Sequence, residues 1–277
     1  MAELEYSDSH PLDEVIRSDR MPHIWCPGCG IGIVMRCYGQ SILDSDIPIQ
    51  QQVVVSGIGC SGRVAGYMRI DSYHTTHGRA IPFAVGLKLA NPKLMVIVFS
   101  GDGDLTAIGG NHLIHAARRN VDIKVICVNN FNYGMTGGQV GPTTPFGARG
   151  TTAPYGNPEL PFNLPVLLSA AGANYVSRWT VLHVRQVKQD ILTVFDKPGF
   201  AFIEVLAPCP VGFGKMNRID GGLDEMDLYR DRCQLTDETV SDEDWVIDLR
   251  EDRPIYVGNF VNRDHAAYQP VSIDFES

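Results

Sequence analysis

The sequence predicts an α/β fold: a mostly parallel sheet with helices on both faces. Three observations predict it. Two apolar, β-rich runs, Leu94 to Phe99 and Ile123 to Val128, each end in polar groups: Ser100-Gly101-Asp102-Gly103-Asp104 after the first, Asn129-Asn130 after the second. A helix-like run, Leu105 to Arg119, lies between them. The same rhythm returns as helix (Pro165 to Ala171), strand (Asn174 to Val176), helix (Val181 to Asp196) and strand (Phe200 to Leu206). Strands alternating with helices mark a parallel sheet. Ligands of such sheets gather outside the carboxyl ends of the strands, so both polar motifs are expected at one binding edge.

Composition narrows the function. With 277 residues, 44% of them hydrophobic, the chain can bury one large core. Its net charge is −9 and its pI near 5.3, with no basic cluster for nucleic-acid phosphates. The longest uncharged apolar run, Leu94 to Phe99, is far below a membrane span. The stretch Met1 to Arg20 is acidic and lacks the apolar core of a signal peptide. The expectation is a cytoplasmic chain with neither nucleic acid nor membrane as partner. Seven cysteines are an odd count, and structural disulfides are not expected in that compartment.

Taken in order, residues 1–22 read as a polar arm. A helix follows over Ile31 to Leu43, then a strand over residues 52–57 ending at the loop of Cys60, which should lie at the same edge as Asp102. The polar loop from Ser72 to Arg79 holds His74 and His77, which suit phosphate or their own loop better than a metal. A helix over Ala80 to Ala90 is closed by Asn91-Pro92. The helix after Asp104 contains Gly109-Gly110, tolerable where another backbone packs close, and His112 and His115 read as packing residues. From Asn130 to Pro165 the chain is rich in Gly, Pro and Thr, a length of irregular chain expected to be functional or an interface. The organisation expected is one domain over residues 1–214 and, over residues 215–277, an extended tail that packs on a partner or on the domain surface.

Cys26-Pro27-Gly28-Cys29 admits three readings. A thioredoxin-like pair needs a preceding strand, and no apolar strand precedes it. A zinc site needs a second close pair, and there is none. An iron–sulfur cluster needs four thiolates, which can be scattered. Cys60 and Cys209 lie in Gly/Pro-rich contexts, whereas Cys37 and Cys127 read as small buried hydrophobes and Cys233 lies in a charged segment.

The Asp and Asn after the two strands are hard oxygen ligands suited to Mg2+. The glycines let backbone amides approach a phosphate. Gly101-Asp102-Gly103, followed by Asn129-Asn130 with 25 residues between Gly103 and Asn129, resembles the diphosphate-binding motif of thiamine diphosphate enzymes. Further motifs narrow the resemblance: Trp-Cys-Pro-Gly-Cys-Gly at 25–30, Gly-Ile-Gly-Cys-Ser-Gly at 57–62, His-Thr-Thr-His-Gly-Arg-Ala at 74–80, Tyr-Gly-Met-Thr-Gly-Gly-Gln at 133–139, Pro-Thr-Thr at 142–144 and Pro-Cys-Pro at 208–210. Over about residues 20–215 the chain resembles the β subunit of 2-oxoacid:ferredoxin oxidoreductases, nearest to the 2-oxoglutarate type.

The resemblance implies a thiamine diphosphate-binding fold and three cofactors: thiamine diphosphate, Mg2+ and one 4Fe-4S cluster. Cys26, Cys29, Cys60 and Cys209 would hold the cluster. Asp102, Asn130 and the carbonyl of Asn132 would bind Mg2+. Gly101, Gly103, Asp104, Tyr133, Gly134, Met135 and Thr136 would line the diphosphate, with Ile58, Gly59, Cys60, Ser61, His77 and Gly78 near the cofactor rings. Cys60 would bring cluster and cofactor together, and Arg63 would pair with a carboxylate of a dicarboxylic 2-oxoacid; a structural ion pair is its alternative. The activity implied is CoA-dependent oxidative decarboxylation, with electrons passed to ferredoxin. Pyruvate or another 2-oxoacid as substrate, a non-oxidative thiamine decarboxylase, and an iron–sulfur subunit without organic cofactor are the alternatives. Thiamine enzymes also need a Glu on the aminopyrimidine. Glu159 and Glu204 are the remaining internal candidates, and neither fits well. The family supplies this Glu from an α subunit, so a heterodimer or a dimer of heterodimers is implied.

Overall fold

The computed structural model describes residues 10–237, 239–250 and 253–269. In chain order its strands are β1 (Gln52–Ser56), β2 (Asp71–His74), β3 (Met95–Gly101), β4 (Lys124–Asn129), β5 (Tyr175–Thr180), β6 (Ala201–Leu206), β7 (Cys233–Leu235) and β8 (Ile255–Asn262). They form one sheet in the order β2-β1-β3-β4-β6-β5-β8-β7. Every pairing is parallel except β5 with β8.

Runs such as Gln-Val-Val-Val-Ser and Met-Val-Ile-Val-Phe make strands because β-branched side chains fit a pleated surface buried on both sides. Alternate residues feed two cores. Val54, Ile97, Phe99, Ile126 and Ile203 pack under α1 (Ile31–Asp44) and a later helix, Val184–Asp196. Val53, Val55, Val96, Val98 and Val125 face the other way, under Ala80–Ala90 and two further helices, Gly110–Arg118 and Leu164–Ala171. The predicted parallel sheet with helices on both faces is the fold observed. Among the described residues, no helix is long and apolar enough to cross a membrane.

Four expectations need correction. The run expected as one helix from Leu105 to Arg119 is two, Asp102–Thr106 and Gly110–Arg118. The chain breaks between them because the backbone of Gly78 packs onto Ile108 and Gly109. On the second helix His115 is exposed, and His112 pairs with Arg79 at 3.0 Å instead of packing. The polar arm is not free in its described part: Leu12, Val15 and Ile16 are buried against α1, and Arg17 N–H donates to Tyr67 O at 2.8 Å. The segment expected as an extended tail holds the helix Gly222–Arg232 and both β7 and β8. β8 closes the edge of β5, burying Ile255, Val257 and Val261, and Gly222 packs on the backbone of Gly28. Two short elements, β2 and the helix Val64–Tyr67, lie where no element was expected.

Candidate active site

The loops after β1, β3 and β4 meet at the carboxyl edge of the sheet around a cavity of about 260 Å³. Ile58, Gly59, Cys60 and Ser61 come from the first loop, Gly101 to Asp104 from the second, and Asn130 and Asn132 to Thr136 from the third. His77 closes one side. Of the residues expected at the cofactor, Gly78 alone does not line this cavity; its N–H donates to Asp104 Oδ1 at 2.9 Å. Tyr133 lies against Gly103, where any Cβ would collide with its ring.

Asp104 ties the cradle together. Its Oδ1 accepts from Ile58 N–H (3.1 Å) and Gly78 N–H, and pairs with His77 Nδ1 (2.5 Å). Its Oδ2 accepts from Ser100 Oγ at 2.9 Å. One buried carboxylate therefore fixes the loops after β1, β2 and β3.

Asp102 is 1% exposed and accepts from the Thr143 hydroxyl. Burial pushes its carboxyl up to about 7, against the pull of that hydroxyl and of the Asn130 and Gly103 backbone. The Asn130 carboxamide faces Asp102 Oδ1 at 3.2 Å and the Asn132 carbonyl at 2.9 Å. With nitrogen inward it donates to both; with oxygen inward, three oxygens converge. Cis oxygens around an octahedral Mg2+ stand about 3 Å apart, so the donor set and its spacing fit that ion. A cation would also relieve the cost of a buried charge on Asp102.

A second cavity of about 280 Å³ adjoins the first. Cys26, Cys29, Cys60 and Cys209 line it, beside Trp25, Ile31 and Gly212. Cys60, Asn130, Gly134 and Met135 line both cavities and form the wall between them. A Cβ on Gly134 would lie 3.3 Å from Cys209 Sγ and 3.6 Å from Cys60 Sγ. All four cysteines are free. Burial, with the charge of the neighbouring thiols, pushes Cys29 up to about 12 and Cys60 to about 11. Thiols that burial keeps from ionising until a cation arrives, as at Cys29, Cys60 and Cys209, fit a metal cluster. Among the described residues, no group of three or more His, Cys, Asp or Glu converges as a site for a single metal ion. Here the thiols surround a space rather than a point. Trp25 Nε1–H donates to Cys60 O at 2.8 Å, and its ring packs on Tyr67 and His23 over this side.

Arg63 lines neither cavity. Its side chain is exposed and makes no hydrogen bond or ion pair among the described residues, so the structural ion pair considered for it is not found there. Glu204 is engaged by Arg178 and Asn129, and Glu159 is exposed on a side cavity. Cys37 and Cys127 are buried away from the thiol cavity. Sequence reasoning missed Ser100, Trp25 and Thr143 as supports; the Trp-Cys and Pro-Thr-Thr motifs were the available signal.

Fold and cradle together define a thiamine diphosphate-binding domain. Residues 57–205 match the family model for the thiamine pyrophosphate enzyme C-terminal TPP-binding domain. The chain is 55% identical over 208 residues to the 2-oxoglutarate synthase subunit KorB of Methanocaldococcus jannaschii, covering 75% of this chain and 77% of that protein. With the KorB of Methanothermobacter thermautotrophicus it shares 48% over 254 residues, 92% of this chain and 87% of that one. The 2-oxoglutarate:ferredoxin oxidoreductase of Magnetococcus marinus, solved with 2-oxoglutarate, coenzyme A and succinyl-CoA bound, superposes with a TM-score of 0.81 at 29% identity, over 95% of this chain and 89% of that one. The chain belongs to the 2-oxoacid:ferredoxin oxidoreductase β-subunit family.

Proposed function

We infer that this chain is the β subunit of a 2-oxoglutarate:ferredoxin oxidoreductase. The reaction is the CoA-dependent oxidative decarboxylation of 2-oxoglutarate to succinyl-CoA and CO2, with electrons delivered to ferredoxin. The observation that carries the reading is adjacency: the diphosphate cradle shares a wall with a cavity lined by four thiols. A non-oxidative thiamine enzyme has no use for the second cavity, and an electron-transfer subunit has none for the first. The identity to two KorB chains supports 2-oxoglutarate over pyruvate.

In this reading Asp102, Asn130 and the Asn132 carbonyl hold Mg2+, and Cys26, Cys29, Cys60 and Cys209 hold a 4Fe-4S cluster. When bound, thiamine diphosphate would supply the electron sink for decarboxylation, and the cluster an outlet for electrons. The chain's own residues set the geometry. Asp104 fixes three loops, Tyr133 and Gly103 bound the diphosphate, and Trp25 shields the thiol side from water. Arg63, whose side chain has no partner among the described residues, pairs with the far carboxylate of the substrate. The carboxylates of the first cavity, Asp102 and Asp104, are both committed. The acid that activates the cofactor and much of the CoA site therefore come from an α subunit, in a heterodimer or its dimer. The compartment is the cytoplasm.

The test is an anaerobic preparation with the α subunit, in which reduction of a viologen dye is followed with 2-oxoglutarate and CoA, and with pyruvate in parallel. CoA-dependent reduction faster with 2-oxoglutarate supports the reading. Preference for pyruvate keeps the family and discards the role of Arg63. No reduction in a preparation holding both cofactors discards the oxidative reaction.

A further inference from the structure

The Asn-Asn turn that ends β4 is held from behind by a buried ion pair. Glu204 on β6 and Arg178 on β5 sit opposite each other in the sheet, each 1% exposed, with Arg178 Nε donating to Glu204 Oε2 at 2.7 Å. The other carboxylate oxygen accepts from Asn129 Nδ2 at 2.7 Å. Asn129 Oδ1 accepts in turn from Phe131 N–H at 3.1 Å. Phe131 has a φ of 62°, in the left-handed region that non-glycine residues seldom adopt. Its carbonyl accepts from Thr144 Oγ1 at 2.5 Å. With Phe131 turned this way, the Asn130 carboxamide sits between Asp102 Oδ1, at 3.2 Å, and the Asn132 carbonyl, at 2.9 Å. On the far side Arg178 donates to Trp245 O at 2.7 Å, and its guanidinium lies 5.5 Å from the centre of the Phe260 ring.

Neither Arg178 nor Glu204 lines either cavity. A buried ion pair is weak support for stability by itself, because apolar residues of similar volume often serve as well. What the pair does for its neighbours is the more telling question.

We propose that Glu204 is a positioning residue for the diphosphate–cation cradle, with Arg178 as the counter-charge of its buried carboxylate. Glu204 fixes the Asn129 carboxamide, Asn129 holds the left-handed Phe131 turn, and Arg178 anchors the carboxylate to the C-terminal segment around Trp245. The inference rests on the thiamine diphosphate reading.

The test uses the full chain with its α subunit, stripped of thiamine diphosphate and Mg2+. Thiamine diphosphate is titrated back calorimetrically at saturating Mg2+, with thermal melts in parallel. Arg178→Met/Glu204→Leu removes both charges and leaves Asn129 Nδ2 without an acceptor. Arg178→Met/Glu204→Gln also removes both charges but keeps a carbonyl oxygen for Asn129. The first should bind about tenfold or more weakly than wild type and the second within about threefold, because a buried donor has lost its acceptor in the first only. The two should melt within about 5 °C of each other. Asn129→Ala leaves the ion pair in place and should weaken binding about as much as the Leu variant, which keeps the test decisive if that variant does not fold. Equal weakening of the Leu and Gln variants, or wild-type affinity in Asn129→Ala, overturns the inference while the reading stands. A wild-type complex that binds no thiamine diphosphate overturns both.

Discussion

Replacing Asp104 should loosen the cradle while leaving the proposed Mg2+ and cluster ligands in place. Its carboxylate receives four bonds, from Ile58 N–H, Gly78 N–H, His77 Nδ1 and Ser100 Oγ. In Asp104→Asn the carbonyl oxygen can keep the three contacts at Oδ1, and Ser100 can turn to accept from the new amide. What is lost is charge: bonds to a charged acceptor are worth about 1 kcal/mol more than neutral ones, so three of them sum to about 3 kcal/mol. In Asp104→Ala the Ile58 and Gly78 amides lose their acceptor altogether, at about 1–3 kcal/mol each, and the loops are free to separate. The assay is a thiamine diphosphate titration of the αβ complex at saturating Mg2+, beside a thermal melt. Asp104→Asn should weaken binding by about 100-fold if the whole cost falls on the bound state, with Asp104→Ala at least as weak. Affinity within about threefold of wild type in both variants would refute the view of Asp104 as the tie between loops.

Three further outcomes are expected. Serine in place of Cys26, Cys29, Cys60 or Cys209 should each lower bound iron and abolish dye reduction, while Cys37→Ala, buried away from the thiol cavity, should keep both; full iron in any of the four would remove that residue from the ligand set. Arg63→Ala should raise the KM for 2-oxoglutarate by about 30-fold and leave that for pyruvate unchanged, since a charged hydrogen-bonded pair is worth about 2 kcal/mol; an unchanged KM for 2-oxoglutarate would sink the carboxylate assignment. Burial pushes the Asp122 carboxyl up, but Lys124 at 2.6 Å and Lys88 at 2.8 Å more than offset it and hold it below its ordinary 3.8. Its contribution is present above the unfolded value and lost as pH falls through the folded one, so the Asp122→Asn melting deficit should be full at pH 7 and close below about pH 4. A deficit constant with pH would show that the charge is not its source.

The cradle was legible because its chemistry is written in adjacent residues. Gly101-Asp102-Gly103-Asp104 and Asn129-Asn130 each follow an apolar run, and strand polarity alone sends both to one edge. The four thiols were legible by context: Cys60 and Cys209 sit among Gly and Pro, where a loop can turn a side chain inward, while Cys127 sits within a strand. What was not legible depends on distant partners. The break at Ala107 to Gly109 comes from Gly78 packing across it. The strand role of Ile255–Asn262 is masked by the charged residues before it and becomes plain only beside the open edge of β5. Leu12, Val15 and Ile16 hide among acidic neighbours, and nothing local marks them as the cover for α1. Glu204 falls inside a predicted strand, and its tie to Asn129 spans 75 positions and has no local signature.

The wall between the two cavities has a thermodynamic meaning. Cys60, Asn130, Gly134 and Met135 belong to both sides, so whichever occupant arrives first orders residues that the second would otherwise have to order. The entropy of fixing that wall is lost once, not twice. With the proposed cluster in the thiol cavity, the help would be reciprocal: whatever factor it adds to thiamine diphosphate affinity, thiamine diphosphate would return to it. Oxidation that strips iron from the thiols would then be felt across the wall as slackened retention of a cofactor that never met the oxidant.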